Sequence, residues 1–340
     1  MPAQDQVASS VQMQEPTEEF NARLGAIFDK WERNELPAKE ALAQFEAMSR
    51  EAQADGHAAN QGRAELLLGV LQGYRANLDA SIRHFERARA LFEQAGNRPR
   101  AVGCILNLGE SYRLQGNFTR ARQLFRAASD AAREIDDPST EAIAVCNEGQ
   151  MLLSMGQPES ARARLQKAVE VSARIKEVDD REELQFELYY GLAMAQLRRN
   201  QRTEAWASAL VSNTVALKYA DQPLLMGVSS RGIGEVLTAL GGLPEGCDPS
   251  LSPDPDVWFH ASTDAFQSIK ADGEAARTMY AHALSLSARG KGMQAARKLQ
   301  QAMIIFTRLG MSDDAAKAAQ AQMKVLSNTR SAPPAVTSST

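Results

Sequence analysis

Histidines, cysteines and glycine-rich turns are where catalysis would start, so their spacing comes first. GKGMQAAR, Gly290–Arg297, contains the Gly-Lys step of a phosphate loop. Such a loop needs glycine five residues before that step and a Ser or Thr hydroxyl for Mg²⁺ just after the lysine. Ser285 and Gly292 stand at those places. GIGEV, Gly232–Val236, is a fragment of a dinucleotide-binding turn, and no strand pattern precedes it. The four histidines are His57, His84, His260 and His282. His260 and Asp264 lie one helical turn apart, a spacing that could share a metal but reads first as an exposed helix-surface contact. The three cysteines, Cys104, Cys146 and Cys247, form no CxxC and leave an odd count. No catalytic residue, metal site or cofactor is therefore assigned, and the chain reads as a non-enzyme.

Composition narrows the classes further. A formal charge of -4 over 340 residues selects neither an acidic nor a basic partner. Arg83, Arg87, Arg120, Arg126, Arg162, Lys167 and Arg174 could form a basic stripe for RNA. The plainer reading is solvated helix faces paired with nearby glutamates, and nucleic acid is not expected. No stretch has the apolar length to span a bilayer. The first residues lack the basic-then-apolar build of a signal peptide. The expected location is cytoplasmic.

The residues that do recur are small ones. Ile105, Leu108, Gly109 and Tyr112 are followed by Gly116, Phe118, Ala121, Phe125 and Ala128. Forty residues on stand Gly149, Gly156, Ala161, Leu165 and Ala168, and forty residues back stand Leu68, Gly69, Phe85 and Ala88. Ala193, Asn200 and Ala205 continue the pattern, then Gly234 and Gly241, then Ala283, Gly290, Ala295, Leu299 and Ala302. Glycine inside a helix costs about 1 kcal/mol relative to alanine, so Gly109 implies close approach of a second helix. Gly116 follows two turns later, as a helix-ending glycine does. Ala121, Phe125 and Ala128 share one helix face.

This spacing resembles the tetratricopeptide repeat (TPR), two antiparallel helices with the pattern W-x2-L-G-x2-Y then A-x3-F, Ile105 standing where Trp is common. The 40-residue period is similar to the long-helix subclass of kinesin light chains, Pins-type adaptors and the maltose-regulon activator. The resemblance implies an all-α fold, a right-handed α-solenoid of about six to seven helix pairs with a C-terminal capping helix. Expected units are 57–97, 98–137, 138–180, 181–221, 222–272 and 273–311, with a cap over 312–326. Residues 19–55 read as a degenerate N-terminal pair around Phe28, Trp31, Leu42 and Phe45. Residues 1–18 and 327–340 read as polar disordered tails. Asp137-Pro138 and Asp180 with Glu183 are spaced as helix starts. PEGCDPSLSPDPD, within 244–256, breaks helix and lengthens the loop of the fifth unit.

In such a fold the first helices line a concave groove. Carried over by position, the groove residues are Arg63, Leu67 and Val70 in the first unit. Leu106, Asn107, Glu110 and Arg113 follow in the second, and Asn147 and Gln150 in the third. Tyr190 and Met194 stand in the fourth, Arg231 in the fifth. Asn107 and Asn147 hold the same position in adjacent units, and a carboxamide can pair with any peptide backbone. The resemblance thus implies a non-enzymatic scaffold that takes a protein or peptide partner, with no membrane involved. The alternative is a ligand-sensing regulator of the Rap type, which also places helices before its repeats.

Overall fold

The computed structural model describes residues 13–33, 35–75 and 77–331, with the side chains of residues 32, 179, 180, 183 and 329–331 set aside. A helix begins at Val178 with Glu177 at its N-cap, so the helix start expected at Asp180 lies a few residues earlier; most of the two expected tails lie outside the described residues. Among the described residues the fold is all-α, without a strand. The chain forms two compact units, Met1–Ser154 with Lys167–Lys176, and Met155–Gln166 with Glu177–Thr340.

The first unit starts with α1 (Glu18–Glu32) and α2 (Ala38–Ala54), then α3 (Ala58–Tyr74), α4 (Leu78–Gln94), α5 (Arg98–Leu114), α6 (Phe118–Glu134) and α7 (Pro138–Ser154). α8 (Pro158–Ser172) has residues in both units. The second continues with α9 (Val178–Arg198), α10 (Arg202–Lys218), α11 (Pro223–Leu240), α12 (Pro255–Ser268), α13 (Asp272–Ala288), α14 (Gly292–Arg308) and α15 (Ser312–Ser331). Within each unit successive helices pack against one another as antiparallel pairs, the arrangement of an α-solenoid. The capping helix is longer than expected and runs to Ser331. Its Ala318 and Val325 bury against α13 and α14, which closes the apolar end of that stack.

The recurring glycines are explained by aromatic rings. A Cβ built on Gly109 would lie 2.7 Å from the Phe125 ring, and one on Gly69 would lie 2.6 Å from Phe85. Sixteen residues separate both pairs (125 − 109 and 85 − 69). That spacing is the last five residues of the first helix, a turn and about half of the second helix, so the ring returns onto its own glycine. Gly116 takes φ 78°, a left-handed conformation that lets α5 end and α6 turn back. Asn200 occupies the matching turn with φ 59°. Asparagine tolerates that conformation, so the degenerate unit keeps its turn.

Buried carboxylates tie the first unit together. Glu148 is 1% exposed and accepts from Arg122 at 3.0 Å and Arg126 at 3.1 Å. Glu141 accepts from Arg133 at 2.9 Å and Arg174 at 3.0 Å. Glu65 accepts from Ser49 and His84 and pairs with Arg87. Arg87, Arg122, Arg126, Arg133 and Arg174 thus serve these carboxylates, whereas Arg120 bonds Gln123 and Lys167 pairs with Glu170. Desolvation makes such a pair strongly destabilising to break from one side.

Residues 14–17 are ordered rather than part of a free tail. The Asn97 amide donates to the Gln14 carbonyl at 3.1 Å, Gln14 N–H donates to the Ala95 carbonyl at 2.9 Å, and Arg100 pairs with Glu15 at 2.8 Å. The reason is unsatisfied polar groups at the entries to α3 and α5, which polar residues can meet. α1 and α2 bury Phe20, Leu24, Leu42 and Phe45 with Leu67 and Leu68 of α3.

Candidate functional site

In the first unit, Val70, Asn107 and Glu110 share a shallow notch of about 370 Å³ with Gly73, Tyr74 and Leu114. Glu110 is committed to Arg113, which donates to it through two nitrogens at 2.7 and 2.5 Å. That pairing raises the Arg113 pKa, against burial. The Asn107 and Asn147 side chains are half-buried and make no hydrogen bond to another described residue. Asn147 does not line the notch. Gln150 donates toward the Cys146 sulfur at 3.5 Å. Leu106 is partly covered by neighbouring apolar clusters.

Two expected groove residues are core residues instead. Leu67 is 6% exposed, because α1 and α2 cover that face of α3. Met194 is 8% exposed, and its methyl lies near the backbone of Gly232. Arg63 falls in neither cavity; its Nε is buried without a partner, and burial together with the nearby Arg100 charge lowers its pKa.

The second unit holds a larger cavity of about 840 Å³. It opens along the first helices of three consecutive pairs, α9, α11 and α13. Two expected residues, Tyr190 and Arg231, meet there. α11 can approach closely because its sequence is MGVSSRGIGEV. A Cβ on Gly232 would sit 3.0 Å from the Tyr190 ring, and one on Gly227 2.7 Å from Phe266. Phe266 in turn lies under the Arg231 guanidinium, 5.5 Å from ring centre to Cζ. Thr238 and Ser285 hydroxyls, 2.6 Å apart, join α11 to α13 at the same wall.

The electrostatics are those of a cationic pocket. Arg231 donates to Glu274 at 2.8 Å, and its side chain is 11% exposed. Burial would lower its pKa, but the nearby Tyr190 and Glu274 more than offset this, so it is held firmly charged. Glu274 is shared with Arg277 at 2.6 Å, and Arg277 also reaches Asp314 at 3.1 Å. Burial would raise the Glu274 pKa, yet the two guanidinia keep it low. Arg198 and Arg202 complete the lining. Glu235 is the acid among the lining residues, and burial raises its pKa in spite of Arg231 and Arg198.

Sequence reasoning missed Arg198, Arg202, Arg277 and Tyr280 as pocket residues. Arg198 and Arg202 flank the turn at Asn200, outside the helix positions that line a groove. A turn shared by two helices was the available signal.

The other chemical candidates have structural uses. His57 accepts from the Asn60 amide as the N-cap of α3. His282 bonds Asp256 through Nε2 at 2.7 Å and stacks on Phe259, with His260 against its edge. Gly290 takes φ 77° at the turn before α14. Among the described residues no three His, Cys, Asp or Glu side chains group to hold a metal, and no helix is long and apolar enough to cross a membrane.

Residues 101–174 match the family model for the tetratricopeptide repeat. No curated protein matches the chain in sequence. In fold the chain is similar to the apo form of RapI, with TM-score 0.65 and 12% identity, covering 86% of this chain and 99% of that one. A Rap protein complexed with Competence and Sporulation Factor gives TM-score 0.55 at 12% identity, over 92% and 99% of the two chains. Aspartyl phosphate phosphatase F from Bacillus subtilis gives 0.52 at 13% identity, over 90% and 81%. At these identities the likeness is one of fold. Residues 101–174 thus carry tetratricopeptide repeats, as the spacing of Gly109, Tyr112 and Phe125 implies.

Proposed function

We propose that this chain is a non-catalytic protein-binding regulator that takes a peptide segment of its partner on the first-helix faces. The observation that supports this most is the second-unit cavity. It has the size of a ligand site, apolar walls and a few convergent polar groups. Those groups are held in place by Glu274, Phe266 and the α11–α13 hydroxyl pair. In the first unit, the Asn107 and Asn147 carboxamides are the proposed backbone contacts, because no other described residue uses them.

A sensor that changes shape on binding is the second reading. It is favoured by the fold likeness to a Rap protein complexed with Competence and Sporulation Factor. The likeness to an aspartyl phosphate phosphatase carries no catalytic residue to this chain at 13% identity. A reducing, cytoplasmic setting belongs to the same proposal. Its support is three free cysteines, with burial pushing the Cys104 thiol up to about 12.

The test is selection of a displayed random dodecapeptide library on the full chain. Enriched sequences are expected to bind the wild type and to weaken at least tenfold on variants of the first-helix faces. Failure of any peptide to enrich, or binding indifferent to both Asn107→Ala/Asn147→Ala and Arg198→Ala/Arg202→Ala, would remove the proposal.

A further inference from the structure

We propose that the α9–α11–α13 cavity is a carboxylate-binding site, which takes an acidic residue of a peptide next to an apolar one. This rests on the peptide-binding reading above and names the ligand chemistry of one site.

The case begins with charge count. Arg198, Arg202, Arg231 and Arg277 line the cavity, against Glu235 as the lining acid. Glu274 and Asp314, which neutralise Arg231 and Arg277, are not among the lining residues. The acids paired with Arg231 and Arg277 thus lie outside the lining, and the two arginines lie within it. This occurs in a chain of formal charge -4, so the cavity departs in sign from the molecule around it.

The type of cation matters too. All four are arginines, whose planar fork matches two carboxylate oxygens at once. Arg231 is already oriented: Glu274 holds Nη1 and Phe266 supports the plane. Ordering it therefore costs little on binding. Among the described residues Arg202 bonds only the Asn200 side chain, at 2.9 Å, at the exposed rim of the space.

The walls select among anions. Tyr190, Tyr280, Phe259 and Leu284 give apolar surface that a bare ion would not use. About 840 Å³ holds a few residues of peptide, far more than one phosphate needs.

The test extends the library selection. Enriched dodecapeptides are expected to carry Asp or Glu beside Leu, Ile or an aromatic residue. Each is then measured by fluorescence anisotropy on the full chain, against the same peptide with Asp→Asn and Glu→Gln. Loss of the charges is expected to weaken binding at least tenfold. Arg198→Ala/Arg202→Ala, at exposed positions, should do the same with unchanged circular dichroism. A C-terminally amidated copy assigns the source: affinity kept means a side-chain carboxylate, affinity lost means the terminal one. Arg231→Lys should weaken binding while retaining the charge.

Enriched peptides that are neutral or basic, equal affinity of the amide-substituted peptides, or preference for phosphoserine over aspartate would each overturn the carboxylate site. All three leave peptide binding itself standing. An empty selection instead removes the peptide-binding reading and this ligand with it.

Discussion

The two units solve one electrostatic problem in opposite ways. In the first, the first helices carry buried carboxylates, and arginines reach them from the second helices. The residues proposed for the binding face are mostly uncharged or self-neutralised: Asn107, Asn147, Gln150 and the Glu110–Arg113 pair. In the second, a first helix carries the buried arginine itself. Arg231 borrows Glu274 from the next first helix and leaves the open face cationic. Equal architecture thus yields a neutral hydrogen-bonding face in one unit and a charged pocket in the other. Whether a buried carboxylate is met from a second helix, or a buried arginine from the next first helix, decides the character of the face.

Four measurements would break or sharpen that contrast. The largest effect should come from the shared packing element. Phe125→Ala empties the site against Gly109 and should cost about 3–5 kcal/mol, read by urea denaturation. Phe259→Ala should behave alike in the second unit, where a Cβ on Gly234 would be 3.1 Å from that ring. A loss in only one unit would show that the repeat packing is not common to both.

Acid should separate the units next. In the second, burial and the Lys298 charge push His282 down to about 4, against the pull of Asp256. Its pKa is lowered, so the unfolded chain takes up the proton first. Stability is then lost as pH falls from about 6.5 toward 4, on the order of 2–3 kcal/mol. Asp256 adds to the same direction at lower pH. Burial alone would raise its pKa, but Arg289, His282 and Lys291 hold it low, and this contribution disappears as it protonates. Unfolding followed by Trp206 and Trp258 in a Trp31→Phe background should show the trend, and His282→Gln should flatten it. A flat profile in the parent would remove His282 as the cause.

Glycine substitution tests the first unit's register. Gly109→Ala should lower stability by about 1–3 kcal/mol, since the new methyl meets Phe125. Gly103→Ala, on the same helix with nothing within 4 Å, should raise it by up to about 1 kcal/mol. Equal signs would contradict the close approach. The smallest effect belongs to the open face. Asn107→Ala/Asn147→Ala should leave the melting temperature nearly unchanged, within about 0.5 kcal/mol, while weakening the selected peptides. A large stability loss would mean those amides serve the fold.

The repeat was legible because a helix pair fixes the distance from a glycine to its ring. Gly69–Phe85 and Gly109–Phe125 keep one separation, and Asn200 could be matched to Gly116 since both positions need a left-handed residue. Other features gave no such signal. Glu65, Glu141 and Glu148 look like any surface glutamates in the sequence, and only packing shows them buried under arginines. Leu67 and Met194 sit at groove positions by register, yet the neighbouring helices cover them. Residues 14–17 read as tail because their partners, Asn97 and Arg100, lie about eighty positions away.

What the sequence determined alone was therefore local and periodic: paired helices of similar length, where they turn, and which small residues let them approach. Backbone geometry sets those within about forty residues. Tertiary structure decided the chemistry of the faces. Arg198, Arg202, Arg231 and Arg277 are spread over eighty residues and four helix ends or faces. Stacking brings them to one cavity and turns their acids away from it. No spacing rule encodes that, because it depends on which helix each charge reaches across to.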